Sequence, residues 1–217
     1  RLFSKTELAI SEDLLVLNKE LLSKPYIAID TEFRRKTKDN ISLSLIQVND
    51  SEETFIIDCI KIGNAGKLCS FISSKKVKKI LHSYKEDTEA IYSWTNKVLV
   101  NVFDTQLANA FLGGPLSISY GDLTLEKLGV RIDKNETRSN WLKRPLRDSQ
   151  LIYAASDVEF LVELFLDQQQ DLTNTNKKEW LEEEINFGIK KLFTDLKIEP
   201  IGSKILISKD KEKKLRS

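Results

Sequence analysis

Cysteine, histidine and methionine are nearly missing from these 217 residues, which hold two, one and none of them respectively. Cys59 and Cys69 lie in apolar stretches without metal-ligand spacing. They read as reduced core thiols of an intracellular, cytoplasmic protein rather than as a disulfide framework or a thiolate-bound metal. No apolar run approaches the roughly 20 residues that span a bilayer, and the first residues do not read as a secretory signal; no membrane partner is expected. Strong charge of one sign is lacking too: 34 basic against 33 acidic residues leave a net charge of +1. Any polyanionic partner must therefore be met by a local patch. No internal repeat is found. What remains is ordinary for one folded domain, with 41% hydrophobic and 31% charged residues and a length that suits a single sizeable core.

The periodicities predict a helix over 12–22 behind Ser11 as N-cap, closed by Pro25. Strand-like runs follow at 26–33, 42–49 and 54–59, separated by polar breaks that suit antiparallel turns. A helix is expected at 65–73, a strand at 79–83, a helix at 86–94, a strand ending at Asp104, and a helix at 105–111. Gly113-Gly114-Pro115 is a loop. A short helix over 123–128 precedes a polar connection at 131–147. Asp148 is then expected to cap one long helix over 149–169, and a charged helix spans about 177–196. Residues 199–217 read as a lysine-rich tail or linker. Hairpin-like strands followed by alternating strands and helices predict a mixed sheet flanked by helices, an α/β fold.

Three clusters carry chemistry. In Ile27-Ala28-Ile29-Asp30-Thr31-Glu32-Phe33 the two-residue strand period sends Asp30 and Glu32 to the same face. Like charges so close repel unless a cation sits between them, and a hard divalent ion with oxygen ligands resolves the conflict. Taken by itself the pair also fits a solvated strand end. In Tyr153-Ala154-Ala155-Ser156-Asp157 the tyrosine and aspartate stand one helical turn apart, and Asp157 interrupts an apolar stripe continued by Phe160, Leu161 and Leu164. A buried carboxylate needs a metal or an ion-pair partner, so a lysine or arginine would serve equally. Asp87 sits in the first turn of its helix, where simple capping competes with metal binding.

Taken together and in order, these residues resemble the ribonuclease D branch of the DEDD 3′→5′ exonucleases. Asp30-Thr31-Glu32-Phe33 matches its first motif, the segment from His82 to Asp87 its second, and Tyr153 to Asp157 its third. Residues 43–47, Phe103-Asp104-Thr105-Gln106, the run from Glu136 to Leu142 and Arg144-Pro145-Leu146 are similar as well. Ile152 stands where the histidine variant of the family would carry its histidine, so Tyr153 marks the tyrosine variant. The resemblance implies a ribonuclease H-like fold with a five-stranded mixed sheet, in an exonuclease domain over 1–198 with its motif-bearing core at about 25–170. Full-length ribonuclease D proteins continue into helical accessory domains; the expectation is that the helical accessory domain is absent here, in a catalytic fragment or a short family member.

The same resemblance implies the chemistry. Two divalent ions, Mg²⁺ or Mn²⁺, would be held by Asp30, Glu32, Asp87 and Asp157, with Asp87 acting chiefly through water. The substrate would be RNA 3′ ends, in tRNA or small structured RNA maturation, and the product nucleoside 5′-monophosphates. Tyr153, with an intrinsic pKa of about 10, is a poor general base and is expected to orient the attacking water. Phe33, His82, Arg138, Trp141 and Arg144 are the expected substrate contacts. Basic runs at 34–38 and 75–79 are candidates for tracking a phosphate backbone, although the second fits a solvated surface better. Trp94 is expected in the core, and Asp104 as a helix cap. A monomer is expected. The alternatives are a DNA 3′→5′ exonuclease of the same fold and an inactive nucleic-acid-binding module.

Overall fold

A computed structural model describes residues 4–8, 11–37, 40–133 and 135–195. The tail expected at 199–217 lies outside these residues. Among the described residues six strands form one sheet: β1 (Ser4–Leu8), β2 (Tyr26–Thr37), β3 (Asn40–Asn49), β4 (Glu53–Asp58), β5 (Lys78–Leu81) and β6 (Val102–Asp104). Their order is β1-β4-β3-β2-β5-β6. β2, β3 and β4 pair antiparallel as a meander, while β5 joins β2, β6 joins β5 and β1 joins β4 in parallel. The five expected strands are thus present, and β1 extends them by one. Ser-Lys-Thr-Glu-Leu shows no apolar alternation; its strand character comes from pairing with β4, which no local pattern reveals.

The helices are α1 (Ser11–Leu21), α2 (Cys59–Ile62), α3 (Tyr84–Thr95), α4 (Thr105–Phe111), α5 (Tyr120–Leu128), α6 (Asp148–Glu159), α7 (Leu161–Asn174) and α8 (Lys178–Asp195). Two expectations need correction. The helix over 65–73 is instead a pair of short 3₁₀ turns, Gly66–Leu68 and Ser70–Ser73. There the chain presses so hard on α3 that a Cβ at Gly66 would lie 2.4 Å from the Trp94 carbonyl oxygen. The long helix over 149–169 is two, interrupted at Phe160 with φ −109° and ψ 1°, and its N-cap is Arg147, leaving Asp148 as the first helical residue.

Ile27, Ala28 and Ile29 are fully buried, as an interior strand with both faces covered requires. The pleat sends Tyr26, Ala28, Asp30 and Glu32 to one face, where α6 and α7 pack. Phe165 of α7 meets Tyr26 and Phe103 edge-on or tilted at 5.6 and 4.8 Å between ring centroids, and Ala154 of α6 packs with Leu45 and Ile56. Thr31 points to the opposite face, toward α3, where its hydroxyl donates to Asp87.

The irregular connection between α5 and α6 is fastened to the sheet. β2 and β3 slip register between Glu32 and Phe33, a bulge that leaves Ser44 as the extra residue of β3. Its Oγ donates to the Trp141 carbonyl at 2.5 Å. Arg144 then grips Asp58 with two bonds, Nε–Oδ2 at 2.7 Å and Nη2–Oδ1 at 2.8 Å, the fork-to-carboxylate geometry that makes such pairs strong. Asp58, fully buried, also caps α2 through the Ile60 and Lys61 N–H groups. Nearer α6, Glu136 accepts from Arg147 and Ser149.

Removing the guanidinium would leave Asp58 buried and without its main charge partner, a change that typically costs about 3–5 kcal/mol. Arg144→Met should therefore lower the melting temperature by roughly 6–15 °C, on the scale of a few degrees per kcal/mol for a domain this size. A variant melting with the wild type by circular dichroism would show that the clamp carries no such energy.

Candidate active site

Asp30 and Glu32 lie where β2 runs past the end of β5, and α6 crosses above them. The turn of helix that places Asp157 one turn beyond Tyr153 lowers its carboxyl onto the pair. Asp30, Glu32 and Asp157 each offer an oxygen within 4.8 Å of the others. Asp87 approaches from the opposite face, at the start of α3. It is buried, fixed by the Thr31 hydroxyl, and close enough to act on Asp30, Glu32 and Asp157 electrostatically.

Burial and mutual repulsion push all four acids upward. Burial is the larger cause for Asp30, followed by the Asp157 charge, with the Thr31 N–H partly offsetting them. Glu32 is pushed to about 10 by burial and then by Asp30, Asp157 and Asp87. Asp157 rises to about 7 through burial, moderated by a hydrogen bond from Tyr153 and raised again by Asp87. For Asp87, burial comes first and Asp30 second. Among the described residues no lysine or arginine pairs with any of the four. An all-oxygen donor set that is crowded, half-buried and lacking a basic partner fits a hard divalent cation. The ion-pair alternative left open for Asp157 finds no support, and Asp87 takes its hydrogen bond from Thr31 of β2 rather than from its own helix.

Tyr153 flanks the group. Burial and then the Asp157 charge hold its hydroxyl at about 12, so it keeps its proton at neutral pH. Its ring packs on Trp141 at 5.9 Å, and its oxygen meets the Thr137 hydroxyl at 3.2 Å. The connection secured by Arg144 thus sets the tyrosine in place.

The expected substrate contacts divide. Phe33, Arg34 and Arg138 border a surface cavity of about 370 Å³ with Ser139, Asn140, Trp141 and Leu142. Trp141, however, is buried in a cluster with Leu45, Ile56 and Ala154, and Arg144 is consumed by Asp58; both build the site's wall and neither is free to hold a nucleotide. His82 is likewise committed, its Nδ1 to the Thr105 hydroxyl at 2.8 Å and its Nε2 to the Ile118 carbonyl at 2.9 Å. Of the basic runs, Arg35 pairs with Glu89 at 2.9 Å and Lys79 is fully buried on two carbonyls, so the solvated reading fails for that lysine. Trp94 packs against the main core as expected. Asp104 caps α4 by accepting from Leu107 and also takes the Tyr84 N–H at the start of α3. Thr31, Asp58, Thr137 and Tyr120 were missed, because each acts through a partner far along the chain.

Asp30, Glu32 and Asp157 thus gather around one point beside the interior strand β2, with Asp87 behind them, as a candidate site for divalent cations. The chain belongs to the 3′-5′ exonuclease family, whose sequence model matches residues 7–173. Its relatives include the ribonuclease D proteins of Pseudomonas paraeruginosa, 37% identical over 166 residues (76% of this chain and 44% of that protein), and of Haemophilus influenzae, 38% identical over 152 residues (70% and 38%). The chain spans less than half the length of these relatives. Escherichia coli RNase D, described as an exoribonuclease involved in structured RNA processing, superposes with a TM-score of 0.84 at 28% identity, over 92% of this chain and 52% of that one. The catalytic core of RRP6 from Trypanosoma brucei superposes at 0.81 and 25% identity, over 86% and 52%. The fold is ribonuclease H-like. No helix among the described residues is long and apolar enough to cross a membrane.

In the unfolded chain these carboxyls titrate near about 4. Folded, Asp157 stands at about 7 and Glu32 at about 10. Between those values the folded protein binds more protons than the unfolded one, so stability falls as pH rises through the window. A divalent cation displaces the protons, and its stabilisation grows over the same range. In EDTA the melting temperature should drop from about pH 5.5 to about pH 8.5, and the increment on adding Mn²⁺ should widen. An increment independent of pH would contradict this balance.

Proposed function

We propose that this chain is the catalytic domain of a metal-dependent 3′→5′ exoribonuclease, releasing nucleoside 5′-monophosphates from RNA 3′ ends. The observation that carries the reading is the convergence of Asp30, Glu32 and Asp157 within 4.8 Å. Asp30, Glu32 and Asp157 would hold one cation directly, and Asp87 a second chiefly through water. Mg²⁺ or Mn²⁺ suits such a donor set. Bound there, divalent ions supply an ionised water and neutralise the phosphate and leaving oxygens.

The chain's own groups do the rest. In the reaction water adds to phosphorus and the bond to the 3′-oxygen breaks, leaving a shortened chain with a 3′-hydroxyl. Tyr153 retains its proton, so it serves as a hydrogen-bond donor that orients the water or a phosphate oxygen. The cavity between Phe33, Arg34 and Arg138 offers a ring for a base and two guanidinium groups for phosphates. Tyr153 lies between that cavity's wall and the acids. E. coli RNase D is described as acting in structured RNA processing, which makes a small structured RNA such as tRNA the substrate class to examine first, in the cytoplasm and by a monomer.

The decisive assay digests single-stranded RNA labelled at either end, with Mg²⁺ or Mn²⁺. Mononucleotides should be lost from the 3′ end, and EDTA should stop the reaction. Asp30→Asn should abolish turnover with the fold intact. Tyr153→Phe should cut kcat roughly 100-fold or more while cations still bind, on the scale of positioned proton-bearing groups. Full activity in EDTA, or faster degradation of DNA of the same sequence, would refute the cation scheme or the RNA assignment respectively.

A further inference from the structure

The break between α6 and α7 falls where no glycine or proline stands. The local sequence is Ser156-Asp157-Val158-Glu159-Phe160, and nothing in it requires a helix to stop. The cause is a side chain from α5. The Tyr120 hydroxyl accepts the Phe160 N–H at 3.1 Å and donates to the Ser156 carbonyl at 3.0 Å. Those two backbone groups are the donor and acceptor that would bond to each other in an unbroken helix. A hydroxyl inserted between them opens the turn, one of the identifiable causes of a sharp bend. Phe160 accordingly leaves helical dihedrals at φ −109°, ψ 1°.

Asp157 lies inside that opened turn, one residue past the carbonyl that Tyr120 holds. The direction in which its carboxyl leaves α6 is therefore set where the hydroxyl enters. Tyr120 is in turn braced. Its ring packs against His82 at 5.9 Å, and His82 is anchored at both nitrogens to Thr105 and Ile118. The anchorage joins the end of β5 and the start of α4 to the α6–α7 junction, which gives a use to the histidine that the acid group leaves aside.

We propose that Tyr120 is a positioning residue, its hydroxyl wedged into the α6–α7 junction so that the Asp157 carboxylate is aimed at Asp30 and Glu32, setting how tightly the group holds a cation. This rests on the reading of the acids as a cation site. Both hydrogen-bonding roles of the hydroxyl are filled by backbone, so Tyr120 acts only through Asp157. Burial pushes its pKa upward, with Asp157 and Asp30 adding to the shift, and the donor role persists at any working pH.

Tyr120→Phe deletes one oxygen and keeps the ring. In calorimetric titrations with Mn²⁺ alone it should weaken binding roughly 10- to 100-fold, the scale for groups that orient ligands. Turnover of labelled RNA should show a lower kcat at an unchanged KM, recovering in part as Mn²⁺ is raised. A tyrosine that merely stabilised the fold would lower the melting temperature in EDTA and leave Mn²⁺ affinity and kcat at wild-type values, and that result overturns the proposal. Asp157→Asn is the reference. Weakened Mn²⁺ binding in Asp157→Asn beside wild-type binding in Tyr120→Phe overturns the tyrosine's role alone. Wild-type binding in both overturns the cation reading and the proposal with it. Should Tyr120→Phe not fold, the labelled wild-type chain decides by nuclear magnetic resonance. A Tyr120 hydroxyl proton close to the Ser156 carbonyl carbon supports the wedge, whereas a through-hydrogen-bond coupling directly between the Phe160 nitrogen and the Ser156 carbonyl overturns it.

Discussion

Two unit charges 4.8 Å apart repel by about 3 kcal/mol at the effective dielectric found near protein surfaces, and Asp30, Glu32 and Asp157 approach one another within that distance. A fourth acid, Asp87, adds to the repulsion from the far side of β2. Left to themselves the side chains would swing apart into water. They stay because each is mounted on an element that the rest of the protein holds rigid. The price of the crowding is that the carboxyls hold protons well above their usual range.

The mounting of β2 is conventional, an interior strand with Ile27 and Ile29 fully buried. The mounting of α6 is not. It is reached by a connection with no regular structure, and that connection is made stiff by charge. The Asp58–Arg144 pair, the Ser44 hydroxyl and the Glu136 carboxylate all hold it from different sides. Trp141 and Thr137 are the pieces of this scaffold that reach Tyr153, by ring contact and by hydrogen bond. Of the three residues of this connection expected to contact substrate, Trp141 and Arg144 therefore serve the architecture, and Arg138 borders the cavity.

Much of this could be read beforehand. The two-residue period exposed the Asp30–Glu32 pair, and the helical period put Asp157 on the same face as Tyr153, because both signals depend only on local geometry. The resemblance to ribonuclease D tipped Asp87 from capping to metal binding and supplied the order of the motifs. Contacts between distant segments could not be read. Arg144 looked like a substrate contact because its partner, Asp58, lies 86 positions away. The helix from 149 looked continuous because the hydroxyl that splits it belongs to Tyr120, and the apolar stripe of α7 keeps its phase across the one-residue break. β1 was invisible since its pairing with β4, rather than its composition, makes it a strand.

Asp104 has a consequence for the acid most remote from that connection. Its two oxygens receive the leading N–H of α3 and an N–H in the first turn of α4, so both helices are indexed to the tip of β6, an edge strand. Asp87 rides on the first turn of α3. The outer margin of the sheet is thus a shared reference mark for two helices, one of which carries Asp87.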